Sequence, residues 1–377
     1  MPADSATRST PATDPTTLAA SFLAGTLPPQ LKALQARIRA LVPDVKRVGA
    51  FLTDTTQTTL SHWADSEGQT LPCPQSLAAL ADNPLLSRCA DTGEARAAFV
   101  QVDPALEWAA DGRTCPLIAL PLGPGNARQG FLVVETAPGV LLPAQQIHQL
   151  LAWTPLAVDL LVQGIDTVRA LVGTTRFALD FTLMRDRDTG EHQLRLRDYV
   201  QLLSRELARV HGLDDSFVAE LALFGPLHDI GKVGIPDAIL LKPGQFEPRE
   251  WETMKEHVVL GRGMIERMID DFQLHDTPGM HTLQAVVAHH HECLDGSGYP
   301  EGLQGDEIPL AARIVSTADI FDALTCPRPY KRSWSIDEAF EQLRTLAGHK
   351  LDRECVSALQ AARPQIEEVW QRHAAMH

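Results

Sequence analysis

The chain has 377 residues, enough for two ordinary domains or one large one, each with a sizeable core. Its 44% hydrophobic and 21% charged residues read as globular, and a net charge of −15 argues against general affinity for nucleic acid or an anionic membrane. An anionic substrate therefore needs locally placed cations, while six scattered cysteines without Cys-x-x-Cys spacing suit a reducing cytoplasm and indicate neither a zinc ribbon nor a disulfide framework.

In chain order, "MPADSATRSTPATDP" is polar and lacks an apolar signal core, so residues 1–15 read as a disordered arm. "VKRVGAFLTD" and "TTLSHWAD" predict two strands joined by a short Thr/Gln turn. "CPLIALPLGPGNARQGFLVVE" places two apolar runs around a Gly/Pro/Asn turn, a hairpin pattern, and a helical stretch follows from about Pro143. The uncharged stretch Thr136–Val158 carries Pro138, Pro143 and Pro155, which argues against a membrane span. Together these patterns resemble a GAF domain, an α+β sensor fold, over residues 16–150. Next, Leu161, Ile165, Val168, Val172 and Leu179 form one apolar seam on a connecting helix over 151–182. Burial against its own domain and pairing in a homodimer both fit that seam.

The remaining chain is helical in period and holds the chemical motifs. "LFGPLHDIGKVGIPDAIL" sets His228 beside Asp229; a helix stopping at Gly231 would leave the pair at an exposed end, with Lys232 just beyond. "MKEHVVLGRGMIE" adds His257, "AHHHECLDGSGYP" adds three successive histidines, and "ARIVSTADIFDALT" adds Asp319 and Asp322. Upstream, "RDRDTGEHQLR" offers Asp188 and His192, one helical turn apart and so on one face. Any one of these could be a satisfied core or surface residue. Five helical segments each contributing His or Asp are hard to explain as packing. Imidazole with carboxylate suits iron, manganese or zinc. Closely spaced metals bridged by a carboxylate are what phosphoester hydrolysis needs, so the residues themselves point to a metal-dependent phosphohydrolase.

"HDIGK" with "HHECLDGSGYP", "KVGIPDAILLKPG", "MKEH", "ARIVSTADIFDALT" and "RPYKR" resembles the HD-GYP domain of the HD phosphohydrolase superfamily, over residues 183–377. The resemblance implies an all-α HD-type bundle that hydrolyses cyclic di-GMP to linear pGpG or GMP at a centre of two or three divalent metals, iron or manganese. It makes His228, Asp229, His257, His290, His291 and Asp319 metal ligands, with Asp229 bridging, and His192 the upstream ligand. It assigns Lys232 to the substrate phosphate, Arg328 and Lys331 to gripping the dinucleotide, and Tyr299 to the edge of the site. It also implies control by the front domain and diguanylate cyclases (GGDEF proteins) as partners. Of the three histidines, His289 is left over, read as a surface or core-lining imidazole.

The sequence departs from the family pattern at two places. Asp188 stands where three-metal members have Glu, and could be a third-metal ligand or could cap the helix together with Glu191. Cys326-Pro327 replaces a common Ser-Asp before "RPY". Two rival readings stay open: a silent cyclic di-GMP receptor, and a phosphodiesterase for another cyclic dinucleotide.

Overall fold

The computed structural model describes residues 15–53, 59–68, 70–76, 96–101, 114–122, 130–137, scattered positions between 142 and 177, and then 187–213, 215–275, 277–326 and 333–374. The chain divides into two compact units, Met1–Leu171 and Val172–His377.

The first unit opens with α1 (Pro15–Leu41), followed by β1 (Val45–Thr53), β2 (Thr59–Asp65), β3 (Thr70–Ser76), β4 (Arg96–Gln101), β5 (Thr114–Leu122) and β6 (Gly130–Thr136). These strands form one six-stranded sheet in the order β3-β2-β1-β6-β5-β4, antiparallel at every pairing. Both expected strand pairs are present, β1 with β2 and β5 with β6. Central β6 is buried along its whole length, through the apolar run Phe131–Val134 and on to Glu135 and Thr136. Leu27, Leu31, Leu34 and Ile38 recur at helical spacing on α1 and are buried, and α1 packs on β1 and β2. At the sheet centre Arg47 on β1 sits opposite Glu135 on β6. Its Nε and Nη2 both donate to Glu135 Oε2, at 2.8 and 2.7 Å, and Nη1 lies 3.3 Å from Asp65.

The second unit is helical: α2 (Arg187–His211), α3 (Asp215–Phe224), short α4 (Asp237–Leu240), α5 (Pro248–Asp271), α6 (Met280–His289), α7 (Leu310–Thr325), α8 (Ile336–Leu346), α9 (Arg353–Ala361) and α10 (Arg363–Ala374). Leu196, Tyr199, Val200, Leu203 and Leu207 make one stripe along α2, packed in a single core with Phe321 of α7 and Phe340 of α8. Of the connecting seam, Leu161 is buried, whereas Ile165, Val168, Val172 and Leu179 lie outside the described residues, as does the arm up to residue 14. No helix among the described residues is long and apolar enough to cross a membrane.

The structure corrects one local expectation. The helix before the His-Asp pair ends at Phe224, not Gly231, and the chain continues through 3-10 turns at Gly225–Leu227 and Ile230–Gly234. Pro226 has no N–H to donate and its ring would crowd the preceding turn, so the α-helix cannot run through it. Nor is the pair exposed: His228 and Asp229 are 1% and 5% accessible.

Gly231 explains how the turn is buried. A Cβ there would meet the His257 carbonyl oxygen at 1.9 Å and the Gly261 nitrogen at 2.4 Å, so turn and α5 touch backbone to backbone. Gly231→Ala is expected to cost about 3 kcal/mol of unfolding free energy, read by urea titration. The control Gly263→Ala, on the same helix with open space around it, should be neutral or stabilising by about 0.5–1 kcal/mol.

Candidate metal centre

Three elements converge on Asp229. The turn after α3 supplies His228 and Asp229, α5 supplies His257, and the end of α6 supplies His290 and His291. Three imidazoles are oriented in the same way: Nδ1 faces a carbonyl three or four residues earlier. His228 Nδ1 lies 3.0 Å from Gly225 O, His257 Nδ1 2.7 Å from Met254 O, and His290 Nδ1 3.0 Å from Val286 O. Donating that proton leaves each Nε2 with a lone pair. The three Nε2 atoms then point at one carboxylate. His228 is 3.1 Å from Asp229 Oδ2, while His257 and His290 are 3.2 and 3.8 Å from Oδ1. Lys232 Nζ donates to Oδ2 at 2.5 Å.

The electrostatics follow from this burial. Burial alone would raise Asp229, but His228 and then Lys232 hold its carboxyl well below the usual range. Burial opposes charge on His228, yet the adjacent Asp229 raises it overall. Burial pushes His290 down to about 4 and His291 further still, where neighbouring His290 adds to the effect. Neutral His290 and His291 are therefore available as ligands at any physiological pH.

Potential ligand atoms of Asp229, His257, His290 and His291 lie within 4.8 Å of one another, and those of His192, His228 and Asp319 form a second such group. The donors fit divalent metals well. His257 and His290 approach Nε2 to Nε2 at 3.4 Å, with both Nδ1 atoms on carbonyls; lone pairs facing each other beside a carboxylate are relieved by a cation. His228 Nε2 and Asp229 Oδ1 are buried and have no hydrogen-bond partner among the described residues, which a coordinated ion would supply.

In the second group, His192 Nε2 lies 3.4 Å from Asp319, and its Nδ1 lies 2.7 Å from Asp322 Oδ2. Asp322 also accepts from Arg195, Nε to Oδ1 at 2.7 Å and Nη2 to Oδ2 at 3.0 Å. Although burial alone would raise it, hydrogen bonds from His192 and Arg195 bring Asp322 down to about 2. Asp322 thus orients a candidate ligand instead of joining the cluster. His289, half-buried, joins neither group. The helix ends at His289, so His290 and His291 part from it in a turn. Tyr299 stacks on His291, centroids 4.7 Å apart at 27°. Asp188 shares α2 with His192, but its side chain lies outside the described residues, as do Arg328 and Lys331. Sequence reasoning passed over Arg195 and Glu292. Arg195 was signalled by its i,i+3 spacing from His192, and Glu292 by being an acid directly after the histidines.

Residues 182–355 match the family model described as HD domain. The helical unit is therefore of the HD type. Over 188 residues the chain is 40% identical to the cyclic di-GMP phosphodiesterase of Thermotoga maritima, covering 50% of this chain and 48% of that protein. It is 38% identical to the cyclic di-GMP phosphodiesterase response regulator RpfG of Xanthomonas campestris, covering 49% of this chain and 46% of RpfG. It is also 37% identical to the 3'3'-cGAMP-specific phosphodiesterase 2 of Vibrio cholerae, covering 54% and 36% respectively. The chain thus spans about half or less of each relative's length.

Within the HD domain, Asp322→Ala removes the carboxylate shared by a buried guanidinium and a candidate ligand. Unfolding free energy should fall by about 3–5 kcal/mol, measured by urea titration. Metal bound by the folded variant, measured by elemental analysis, should fall with it as His192 loses its orientation.

Proposed function

We propose that the HD domain is a metal-dependent phosphodiesterase that cleaves cyclic di-GMP to linear pGpG or GMP. The observation that carries this reading is the convergence of three imidazole Nε2 atoms and Lys232 on the buried Asp229 carboxylate, beside a second His/Asp group. His257, His290, His291 and Asp229 would hold one ion, and His192, His228 and Asp319 another. Asp229 would bridge them, since Oδ1 faces His257 and His290 while Oδ2 faces His228. An imidazole and carboxylate donor set suits iron or manganese. A divalent metal held here supplies Lewis acidity and lowers the pKa of water.

The chain's own groups do the rest. Lys232, partly exposed and fixed on Asp229, offers a compact positive charge to the scissile phosphate. Tyr299, stacked on His291, walls the site where a nucleotide can lie. Arg328 and Lys331 grip the dinucleotide, Arg328 by two parallel hydrogen bonds to phosphate or guanine. These are the local cations that an acidic chain needs. Residues 16–150 act as a GAF-like sensor without catalysis; a helix packed on a six-stranded antiparallel sheet supports that reading. The proposal extends to domain limits at 151–182 and 183–377 and to diguanylate cyclases as partners, which rest on sequence resemblance, and to a dimer along the connecting helix, which rests on its apolar seam.

One observation favours a second substrate: relatives named as 3'3'-cGAMP-specific match at 36–38% identity, close to the 40% of the Thermotoga protein. The test is turnover of both dinucleotides by the full chain loaded with iron or manganese. Linear product from cyclic di-GMP at the higher kcat/KM is the expected result. Preference for 3'3'-cGAMP would transfer the assignment to that substrate, and binding without cleavage would make the protein a receptor.

Asp188 is proposed as a ligand to a third ion, since a hard carboxylate one turn from His192 suits iron or manganese. Metal per chain near three, falling to two in Asp188→Ser, is expected. An unchanged count in the variant would make the centre binuclear and Asp188 a helix cap.

A further inference from the structure

The acid that follows the histidines belongs to neither metal group, yet it is 3% exposed. Glu292 spends its carboxylate on backbone. Oε1 accepts from the N–H groups of Glu301 at 2.8 Å and Gly302 at 3.2 Å, and Oε2 accepts from Leu303 at 3.0 Å. Three successive amides gathered by one buried carboxylate form a rigid, charge-assisted anchor.

The anchored strand is the far limb of the "DGSGYP" loop. Its near limb is pressed on the residue that does the anchoring. A Cβ on Gly298 would stand 2.5 Å from Glu292 Cα and 2.4 Å from Cys293 N, so only glycine lets the loop lie this close. Tyr299 N donates to His291 O at 3.2 Å, and the tyrosine ring stacks on the His291 ring. Lys255 Nζ lies over the Tyr299 ring, 5.7 Å from its centroid. Glu301 also accepts from Arg262 on α5 at 2.6 Å, but that contact is exposed and contributes little. The buried grip on Glu301, Gly302 and Leu303 holds the start of the loop's return path, which the Asp295–Gln304 bridge and the Gly305 N–H donated to Leu294 O at 3.1 Å close further on.

We infer that Glu292 is a positioning residue for the substrate, setting the place of the Tyr299 ring through the loop it anchors and touching neither metal nor phosphate. This rests on the reading of Tyr299 as a substrate contact. Its consequence is a separation of effects along one motif: His290 and His291 govern metal, and Glu292 governs substrate affinity.

The experiment uses full-length Glu292→Ala, Glu292→Gln, Tyr299→Ala and the Glu292→Ala/Tyr299→Ala double variant. Four quantities are read: metal per chain, exchange of the 301–303 amides, KM and kcat for cyclic di-GMP. Glutamine keeps the length and one accepting oxygen, which can hold the Glu301 and Gly302 amides while losing Leu303. In the alanine variant, amide exchange should rise about tenfold or more, with metal content unchanged. KM should rise about ten- to a hundredfold with kcat within a few fold, as misplacement of a binding surface predicts. Glutamine should fall between wild type and alanine, and it carries the test should the alanine variant not fold. The double variant should bind substrate no worse than Tyr299→Ala, because both changes act through the same ring. Metal loss in Glu292→Gln would overturn the inference by placing Glu292 with the metal centre. So would a wild-type KM in Glu292→Gln despite faster exchange, provided that Tyr299→Ala raises KM. If Tyr299→Ala itself leaves KM unchanged, the substrate reading of Tyr299 fails and the inference falls with it, whatever the amides show.

Discussion

Burying an ionised carboxylate costs several kcal/mol unless cations and donors surround it, and Asp229 is ionised and 5% exposed. Much of the helical unit answers that requirement. A turn is broken out of α3 by Pro226 so that His228 and Asp229 face inward together. Helix α5 is drawn close enough for His257 to reach, and α6 stops one residue before His290. Each imidazole is held by a carbonyl of its own local segment. The orientation of His228, His257 and His290 is therefore written into backbone geometry instead of depending on distant side chains.

Around that centre, polar support is layered. Lys232 meets Asp229 directly, whereas His192 is aligned from behind by Asp322, itself held in a two-point contact by Arg195. Positive and negative groups alternate outward from Asp229 to Lys232 and from His192 through Asp322 to Arg195. The first unit solves a similar problem differently. There Arg47 lies between Glu135 and Asp65 within a sheet, and two carboxylates share one guanidinium across paired strands.

The identity of the clustered residues was legible because five segments each carry His or Asp where packing alone does not ask for them. His192, His228, Asp229, His257, His290, His291 and Asp319 stood out in the sequence, and the fold brings them into two adjoining groups. Local path was less legible. The apolar run through "LALFGPLHDIGK" reads as one helix, and the proline that ends it was outweighed by periodicity. Burial was misjudged for the same reason, since a chain end at a helix terminus is usually exposed, and only the packing of Gly231 on α5 shows otherwise. Arg195 escaped notice because its partner Asp322 lies far along the chain, and Glu292 because its partners are backbone amides, which no residue type marks. The strands of the first unit were readable where apolar runs flank turn residues, as in β5 and β6.

The contact between Gly231 and Gly261 also bears on how this sequence can drift. Where two helical segments meet through side chains, a larger residue on one can be matched by a smaller one on the other, and the spacing wanders as substitutions accumulate. Here main chain meets main chain, so there is no side-chain volume to trade. The separation of the His228–Asp229 turn from the helix bearing His257 is fixed by atomic radii alone. The apolar residues of the core can then be exchanged over long divergence while the spacing of His228, Asp229 and His257 stays where it is.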